Sequence, residues 1–291
     1  MKSNIPVYDI GTISEFRKEE ILVSKFGPYS ASHHNLHYPH RHNFFHIVLF
    51  TEGAGFHTID FERFPVTPYQ IYFMIPGQVH SWDFNGYVDG YVVNFSDTFF
   101  QSFLLRPNFL EQFNFFTGSL ERSVINIPVE YQNEMIGLFE EILIENDSSQ
   151  KFNLDLIRIL LIKSFILISR FNGEIKEDNS SSYNYTVLKN FQQLLEKHYL
   201  RLRMPKDYAE MLYITPHHLN ALCQDLLGIS TGEVIRNRVI LEAKRLLVNL
   251  DLSISEVSYQ LNFNDNSYFS KFFKKQVGMT PEEFRRKALM K

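Results

Sequence analysis

The feature that most restricts this chain is a repeat near its C-terminus. Thr215-Pro-His-His-Leu-Asn-Ala-Leu-Cys-Gln-Asp-Leu-Leu-Gly228 and Asp265-Asn-Ser-Tyr-Phe-Ser-Lys-Phe-Phe-Lys-Lys-Gln-Val-Gly278 follow one plan fifty residues apart. Each opens on a residue whose side-chain oxygen can cap a helix, and each closes on a glycine suited to the left-handed position that ends one. Apolar residues fall at matching places: Leu219 with Phe269, Leu222 with Phe272, Cys223 with Phe273. The match continues through Ser230 with Thr280, Glu233 with Glu283 and Arg236 with Arg286. Each stretch reads as the second helix of a helix-turn-helix, the helix that enters a DNA groove.

The flanking residues complete two such units, at about 205–227 and 254–277. Phe191, Leu194, Leu195 and Tyr199 give an opening helix its apolar face, and a short helix follows from about Pro205 to Leu212. After the turn at Tyr213-Ile214, Thr215 caps the next helix, and Pro216 occupies its first position, where no amide donor is lost. Leu219, Leu222, Cys223 and Leu226 make the buried stripe, so Thr215, His217, His218, Asn220, Ala221 and Gln224 are its DNA-facing candidates. Ser230-Thr-Gly-Glu233 reads as a capping box opening a long helix to about Val248, which holds the two units at a fixed spacing. Ser253-Ile-Ser-Glu256 is a second box and Thr280-Pro-Glu-Glu283 a third. Asn266, Ser267, Ser270, Lys271, Lys274 and Lys275 are the outward candidates of the second unit, with Arg285 a further phosphate candidate.

Charge agrees with this division. Of 29 Lys+Arg and 33 Asp+Glu, 16 and 11 lie from Tyr183 onward, which leaves 13 and 22 before it. A module of net +5 thus follows one of net −9, and the basic one is the candidate to meet a polyanion. The single cysteine, Cys223, excludes an intrachain disulfide and sits at an apolar helix position, where a buried thiol is expected. Met1-Lys-Ser-Asn-Ile-Pro lacks an apolar signal core, and the run from Ile157 to Ser169 is broken by Arg158 and Lys163 and too short to span a bilayer. These features lead us to expect a cytoplasmic protein with no membrane partner.

The N-terminal part reads differently. Short β-rich runs at His46–Phe50, Phe56–Phe61, Ile71–Ile75 and Tyr91–Phe95 are punctuated by Gly53-Ala-Gly55 and Pro76-Gly77, a pattern that predicts an antiparallel barrel or sandwich. His40 and His42, two apart on an extended chain, face the same way. His40-Arg-His42-Asn-Phe-Phe-His46, then Gly53, then Pro76-Gly77-Gln-Val-His80 resembles the cupin superfamily, whose metal-binding members carry His-x-His, an acid, Gly, and later Pro-x-Gly-x-x-His. Here His46 stands at the acid position, and Pro and Gly are adjacent. The resemblance implies a barrel that in most regulatory members binds no metal. A small-ligand pocket is then expected around His40, His42, His46, Tyr72, His80 and Trp82, with Phe73 also on its lining, and His40, His42, His46 and His80 are the residues that a divalent metal would use.

Between the two parts, Val129–Glu145 predicts a helix with Ile136, Phe139, Leu143 and Ile144 on one side. Phe152–Phe171 is a stronger helix: Leu154, Ile157, Leu161, Ser164, Ile168 and Phe171 step by threes and fours, and Leu160, Ile162 and Leu167 make the other side apolar too. Such a helix needs two partners, for which we expect the barrel and the same helix of a second subunit. Residues 173–183 are mixed in charge and rich in serine and predict a linker.

Ile254-Ser-Glu-Val-Ser-Tyr-Gln-Leu-Asn-Phe-Asn-Asp-Asn-Ser-Tyr-Phe-Ser-Lys-Phe-Phe-Lys-Lys and Gly278-Met-Thr-Pro-Glu-Glu-Phe-Arg285 resemble the AraC/XylS family of bacterial transcription regulators. The resemblance is strong from Tyr185 to Lys287, and the order of segments extends it upstream. It implies an α+β protein of two domains. A cupin-like antiparallel β-barrel sensor with accessory helices (1–128) leads to a helical dimerisation segment (129–172), the linker, and an all-α double helix-turn-helix (184–291). It further implies a ligand-responsive regulator, commonly an activator, whose partners are double-stranded promoter DNA, a small-molecule effector, a second copy of the chain and RNA polymerase. That family usually has Gly where this chain has Asn262, and often basic residues where Ala221 and Gln224 stand; the second unit should therefore hold phosphate more firmly, and the first should read bases through His217 and Asn220. The competing expectation, motivated by the histidines, is a cupin metalloenzyme fused to a DNA-binding domain.

Overall fold

The computed structural model describes residues 6–10, 20–96, 98–100, 109–173 and 181–289. The chain divides into two compact units, Ile5–Glu174 and Ile175–Lys291. Most of the expected linker lies outside the described residues; its last residues, from Ser181, already belong to a helix.

Among the described residues, ten strands build the N-terminal unit: β1 (Val7–Tyr8), β2 (Ile21–Lys25), β3 (His40–His42), β4 (Phe45–Glu52), β5 (Gly55–Ile59), β6 (Glu62–Val66), β7 (Gln70–Met74), β8 (Val79–Phe84), β9 (Asp89–Phe95) and β10 (Val124–Asn126). They form two five-stranded sheets, in the orders β1-β3-β8-β5-β6 and β10-β7-β4-β9-β2. Among the described residues, all pairings are antiparallel except that of β1 with β3, a parallel edge pair that departs from the purely antiparallel expectation. A two-residue turn joins β5 to β6: Asp60 and Phe61 both have positive φ (46° and 76°), the geometry of a tight hairpin, so Phe61 leaves the strand in which its sequence placed it. The Asp60 carboxylate accepts from Gln78 Nε2 and Val79 N, which stabilises a turn made without glycine.

The second sheet is covered on both faces. Val48, Phe50, Tyr72, Met74 and Val92 point into the barrel with Trp82 and Ile59 of the first sheet and with Phe26 and Tyr29 of helix α1 (Phe26–Ser32). Their neighbours Ile47, Leu49, Ile71, Phe73, Tyr91, Val93 and Phe95 point outward under a helical layer. Every residue of β7 is consequently buried, which is why its run is apolar without alternation. After the short α2 (Leu120–Ser123), that layer is built by α3 (Val129–Asp147) and α4 (Asn153–Phe171). On α3 the buried stripe is Met135, Leu138, Phe139 and Ile142; Ile144, expected on that side, is 65% exposed. On α4 the expected seam faces inward, with Ile157, Leu161, Ser164 and Ile168 all buried. A second seam of equal period, Phe152, Leu156, Ile159, Lys163 and Ile166, faces away, with Phe152, Leu156, Ile159 and Ile166 65, 41, 51 and 38% exposed.

Among the described residues, seven helices build the C-terminal unit: α5 (Ser181–His198), α6 (Pro205–Met211), α7 (Pro216–Leu227), α8 (Thr231–Leu247), α9 (Ile254–Gln260), α10 (Asn266–Val277) and α11 (Pro281–Leu289). Helix α8 serves two cores. Its start places Ile235 among Phe191, Leu195, Tyr208, Leu219 and Cys223. Its later turns place Val239, Ala243, Leu246 and Leu247 among Val257, Leu261, Phe269 and Phe273. With 17 residues it spans about 25 Å at 1.5 Å per residue. Arg203, just ahead of α6, donates to Leu261 O at the end of α9 and stacks over Phe263, joining the first unit to the second.

Candidate nucleic-acid interface and effector site

Local chemistry sets both second helices. Thr215 Oγ1 accepts from His218 N at 3.1 Å; the Asp265 carboxylate accepts from Ser267 N and Tyr268 N at 3.0 and 3.1 Å. Gly228 and Gly278 end the helices at φ 72° and 83°, conformations in which an added Cβ would be strained. Tyr213 and Asn262 occupy the turns at φ 55° and 59°, so the asparagine adopts the left-handed conformation expected of it. The box at Ser253 is complete. At Thr280 both bonds form as well, with Thr280 N donating to Glu283 Oε2 at 2.7 Å and Glu283 N to Thr280 Oγ1 at 3.2 Å. At Ser230 only half of the expected box forms, because Glu233 Oε2 receives the serine hydroxyl instead of the backbone amide.

The outward residues sort into two groups. Thr215, His217, Ala221 and Gln224 of the first unit and Ser267, Lys271, Lys274 and Lys275 of the second are exposed; His218, Asn266 and Ser270 are half-buried. Asn220 Oδ1 accepts from Thr231 N at 3.2 Å, which ties the side chain to the start of α8. Asn266 Nδ2 donates to Ser255 Oγ at 3.2 Å and ties α10 to α9. Arg285 corrects the sequence reading. Its Nε and Nη2 each donate at 2.7 Å, to Leu247 O and Leu252 O, so it closes the end of α8 and is withdrawn from any phosphate. Among the exposed residues that escaped the sequence reading are Tyr268 on α10 and Asp225, which stands where the repeat has Lys275.

In the barrel, β3 and β8 pair with His40 opposite His80, and β4 turns His46 inward. All four expected histidines are buried. A fifth, His57, joins them from β5, its Nε2 3.0 Å from His80 Nδ1. The sequence did carry a signal for it: Gly55, His57 and Ile59 are the alternate, buried residues of a short strand. His80 Nε2 stands 3.2 Å from His42 Nε2, His40 Nδ1 2.8 Å from Tyr38 O, and His46 Nδ1 2.6 Å from Asn94 Oδ1. Burial pushes His40 down to about 4 and His46 to about 3. His42, His57 and His80 lie well below the usual imidazole range, by burial first and neighbouring rings second. The set is therefore neutral, the form in which imidazole binds metals or accepts hydrogen bonds. Trp82 stacks its edge near His80 at 5.3 Å between centroids, and Tyr72 lies 4.8 Å from His57. Phe73 does not line this interior: it points the other way and stacks on Phe115 at 4.1 Å, because consecutive strand residues face opposite sides.

An acid-rich, histidine-centred barrel followed by a basic double helix-turn-helix defines a ligand-binding regulator of transcription. The AraC-like ligand binding domain model matches residues 26–155 and the helix-turn-helix domain model residues 208–287, and the chain belongs to the AraC family of DNA-binding transcription regulators. The transcriptional activator RhaR of Mannheimia succiniciproducens is 21% identical over 96% of this chain and 99% of its own length. The arabinose operon regulatory protein of Salmonella typhimurium is 24% identical over 81% of this chain and 82% of its own. A solved structure of ToxT from Vibrio cholerae covers 91% of this chain and 98% of its own at 14% identity, with a TM-score of 0.46. These relatives are regulators and not enzymes, and the metalloenzyme reading is set aside with them.

Proposed function

We propose that the chain is an effector-responsive activator that inserts α7 and α10 into successive major grooves about 34 Å apart. The observation that carries this is the single helix α8 sharing one core with each unit, which fixes their spacing. In this reading Lys271 donates to guanine O6 or N7, Lys274 and Lys275 hold phosphates, and His217, Gln224 and Ser267 face base edges. Thr215, His218, Ala221, Asn266 and Ser270 shape the same surfaces, while Asn220, held by Thr231, positions α8. The barrel interior binds the effector and biases the state of the DNA-binding unit. The protein works in the cytoplasm as a homodimer and, as an activator, contacts RNA polymerase. The open seam of α4 supports the dimer: four apolar side chains at heptad spacing lie exposed on a helix whose other seam is already buried.

Footprinting of the full chain on promoter DNA tests the reading. Two protected major-groove patches one helical turn apart, with strongly salt-dependent affinity, are expected; a single patch, or affinity indifferent to salt, defeats it. For the dimer, Leu156→Lys/Ile159→Lys should yield a monomer in analytical ultracentrifugation, and a dimer undisturbed by both changes places the interface elsewhere.

A further inference from the structure

Two recognition helices match two grooves only if the angle between them is held as well as their distance. Helix α8 holds the distance, but a single long helix bends along its length and resists tilting of what it carries poorly. A tie placed off its axis closes the frame. The segment Tyr199–Arg203, between α5 and α6, crosses the seam between the two helix-turn-helix units and supplies such a tie.

Tyr199 packs against both cores, Leu200 against that of the second unit and Leu202 against that of the first. The start of the segment is pinned to α8. Arg238 lies 3.9 Å over the Tyr199 ring, donates from Nε to both Glu196 carboxylate oxygens at 2.8 Å, and donates from Nη1 to Glu242 at 3.1 Å. Its middle is pinned to α6, where Tyr208 Oη donates to Leu202 O at 2.9 Å. Its end reaches the second unit. Arg203 Nη2 donates to Leu261 O, one of the carbonyls that the end of α9 leaves open, and the guanidinium lies 4.6 Å over Phe263. Phe263 rests in turn on Tyr268, Phe269 and Phe272 of α10, with ring centroids 5.9, 5.3 and 5.3 Å away. Arg203 therefore grips the turn ahead of α10 and, through Phe263, the helix itself.

Arg203 is a poor choice for stability alone. Among the described residues, the titratable side chains that face it are the phenols of Tyr208 and Tyr268 rather than a carboxylate, and its buried Nε meets no partner. A half-buried cation so placed loses hydration that no counter-charge returns, and an apolar side chain of similar length would fill the space without that cost. What the guanidinium adds is direction: a planar fork bound to a carbonyl at its edge and a ring at its face has one orientation.

We propose that Arg203 is a positioning residue that sets the angle between α7 and α10, and thereby the number of base pairs the protein accepts between the two sequences it reads. One added base pair carries the second groove about 3.4 Å along the duplex and turns it by about 35°, so a frame loosened by that much admits neighbouring spacings. The positioning stands on the geometry; its consequence for DNA rests on the regulator reading above.

The first test needs no DNA. Nitroxide labels are placed on the full chain at the matching positions of the repeat, Gln224→Cys and Lys274→Cys, in a Cys223→Ala background, and their separation is measured by pulsed electron resonance. One narrow distance is expected. Arg203→Met should broaden or displace it by about 3 Å or more, the rise of one base pair, while moving the thermal midpoint by less than about 5 °C. Arg203→Lys, which keeps one donor and loses the planar stack, should fall between the two, and it decides the matter if Arg203→Met does not fold. Ser253→Ala, which weakens the cap of α9 without touching the seam, should leave the distance unchanged. A distance unaltered by loss of the guanidinium, or broadened equally by Ser253→Ala, overturns the positioning.

The second test selects sites for the full chain from duplexes carrying a randomised stretch, and reads the spacing between the two enriched sequences. The unaltered chain should favour one spacing over its neighbours by about tenfold; Arg203→Met should reduce that to about twofold with the salt dependence of binding unchanged, since no phosphate contact is lost. A spacing preference kept intact by Arg203→Met overturns the consequence for DNA. Failure of the unaltered chain to enrich any sequence counts against the regulator reading, and the label distances then decide the role of Arg203 by themselves.

Discussion

The first helix-turn-helix unit closes its core with Leu219 and Cys223, the second with Phe269 and Phe273, at matching and equally buried positions. Outside, the first shows Ala221, Gln224 and Asp225 where the second shows Lys271, Lys274 and Lys275. The caps and the terminal glycines are nevertheless the same in kind. The comparison teaches that the frame of each unit is set by its ends, whereas filling and outer charge vary independently. The filling can vary because α8 lends each unit its own stretch of wall.

The largest contrast should lie in the cores. Phe273→Ala is expected to lower stability by about 3–5 kcal/mol, and Cys223→Ala, which removes one heavy atom, by about 1 kcal/mol, measured by denaturant unfolding. Equal losses would break the comparison. Next come the outer faces. Lys271→Ala/Lys274→Ala/Lys275→Ala should reduce the slope of log affinity against log salt by about 2.7, at about 0.9 per phosphate lost, and less to the extent that Lys271 reads a base. His217→Ala/Gln224→Ala should leave that slope intact and flatten preference among operator variants by about 1–3 kcal/mol per base pair. A slope altered by the second pair would show that the two helices divide their work in some other way. Smaller still are the caps: Asp265→Ala, losing two amide bonds, should cost about 1–2 kcal/mol in thermal unfolding and Thr215→Ala about 1 kcal/mol. The turns come last. Tyr213→Gly should stabilise by about 0.5 kcal/mol, since a tyrosine in the left-handed region is strained, and Asn262→Gly should be neutral within error.

What was legible in the sequence was whatever is decided within a few residues. Thr215, Ser253, Asp265 and both glycines do their work inside one helical turn, and the sequence placed each correctly. The buried stripes of α4, α7 and α10 were legible because their period repeats. Arg285 was not: a cation near a C-terminus reads as a phosphate contact until the carbonyls of Leu247 and Leu252 are seen beside it, more than thirty residues away in sequence. Asn220 escaped for a similar reason, since its partner Thr231 lies on the next helix. In the barrel, the four histidines that match a spacing were found, but His57 was passed over because one histidine in one strand has no partner until β5 is paired with β8. Phe73 was assigned to the wrong side because β7, buried throughout, gives no alternation from which a side could be chosen.

The sheet β10-β7-β4-β9-β2 has a consequence for how this protein can vary. Within β4, His46 belongs to the ring cluster and Ile47, the very next residue, to the oily layer beneath the helices. A single codon inserted or deleted upstream in that strand would exchange the two, pushing imidazole into hydrocarbon and isoleucine among the imidazoles. Drift by insertion is therefore closed to this wall, and new specificity has to arrive by replacing side chains one at a time on a backbone whose parity is locked.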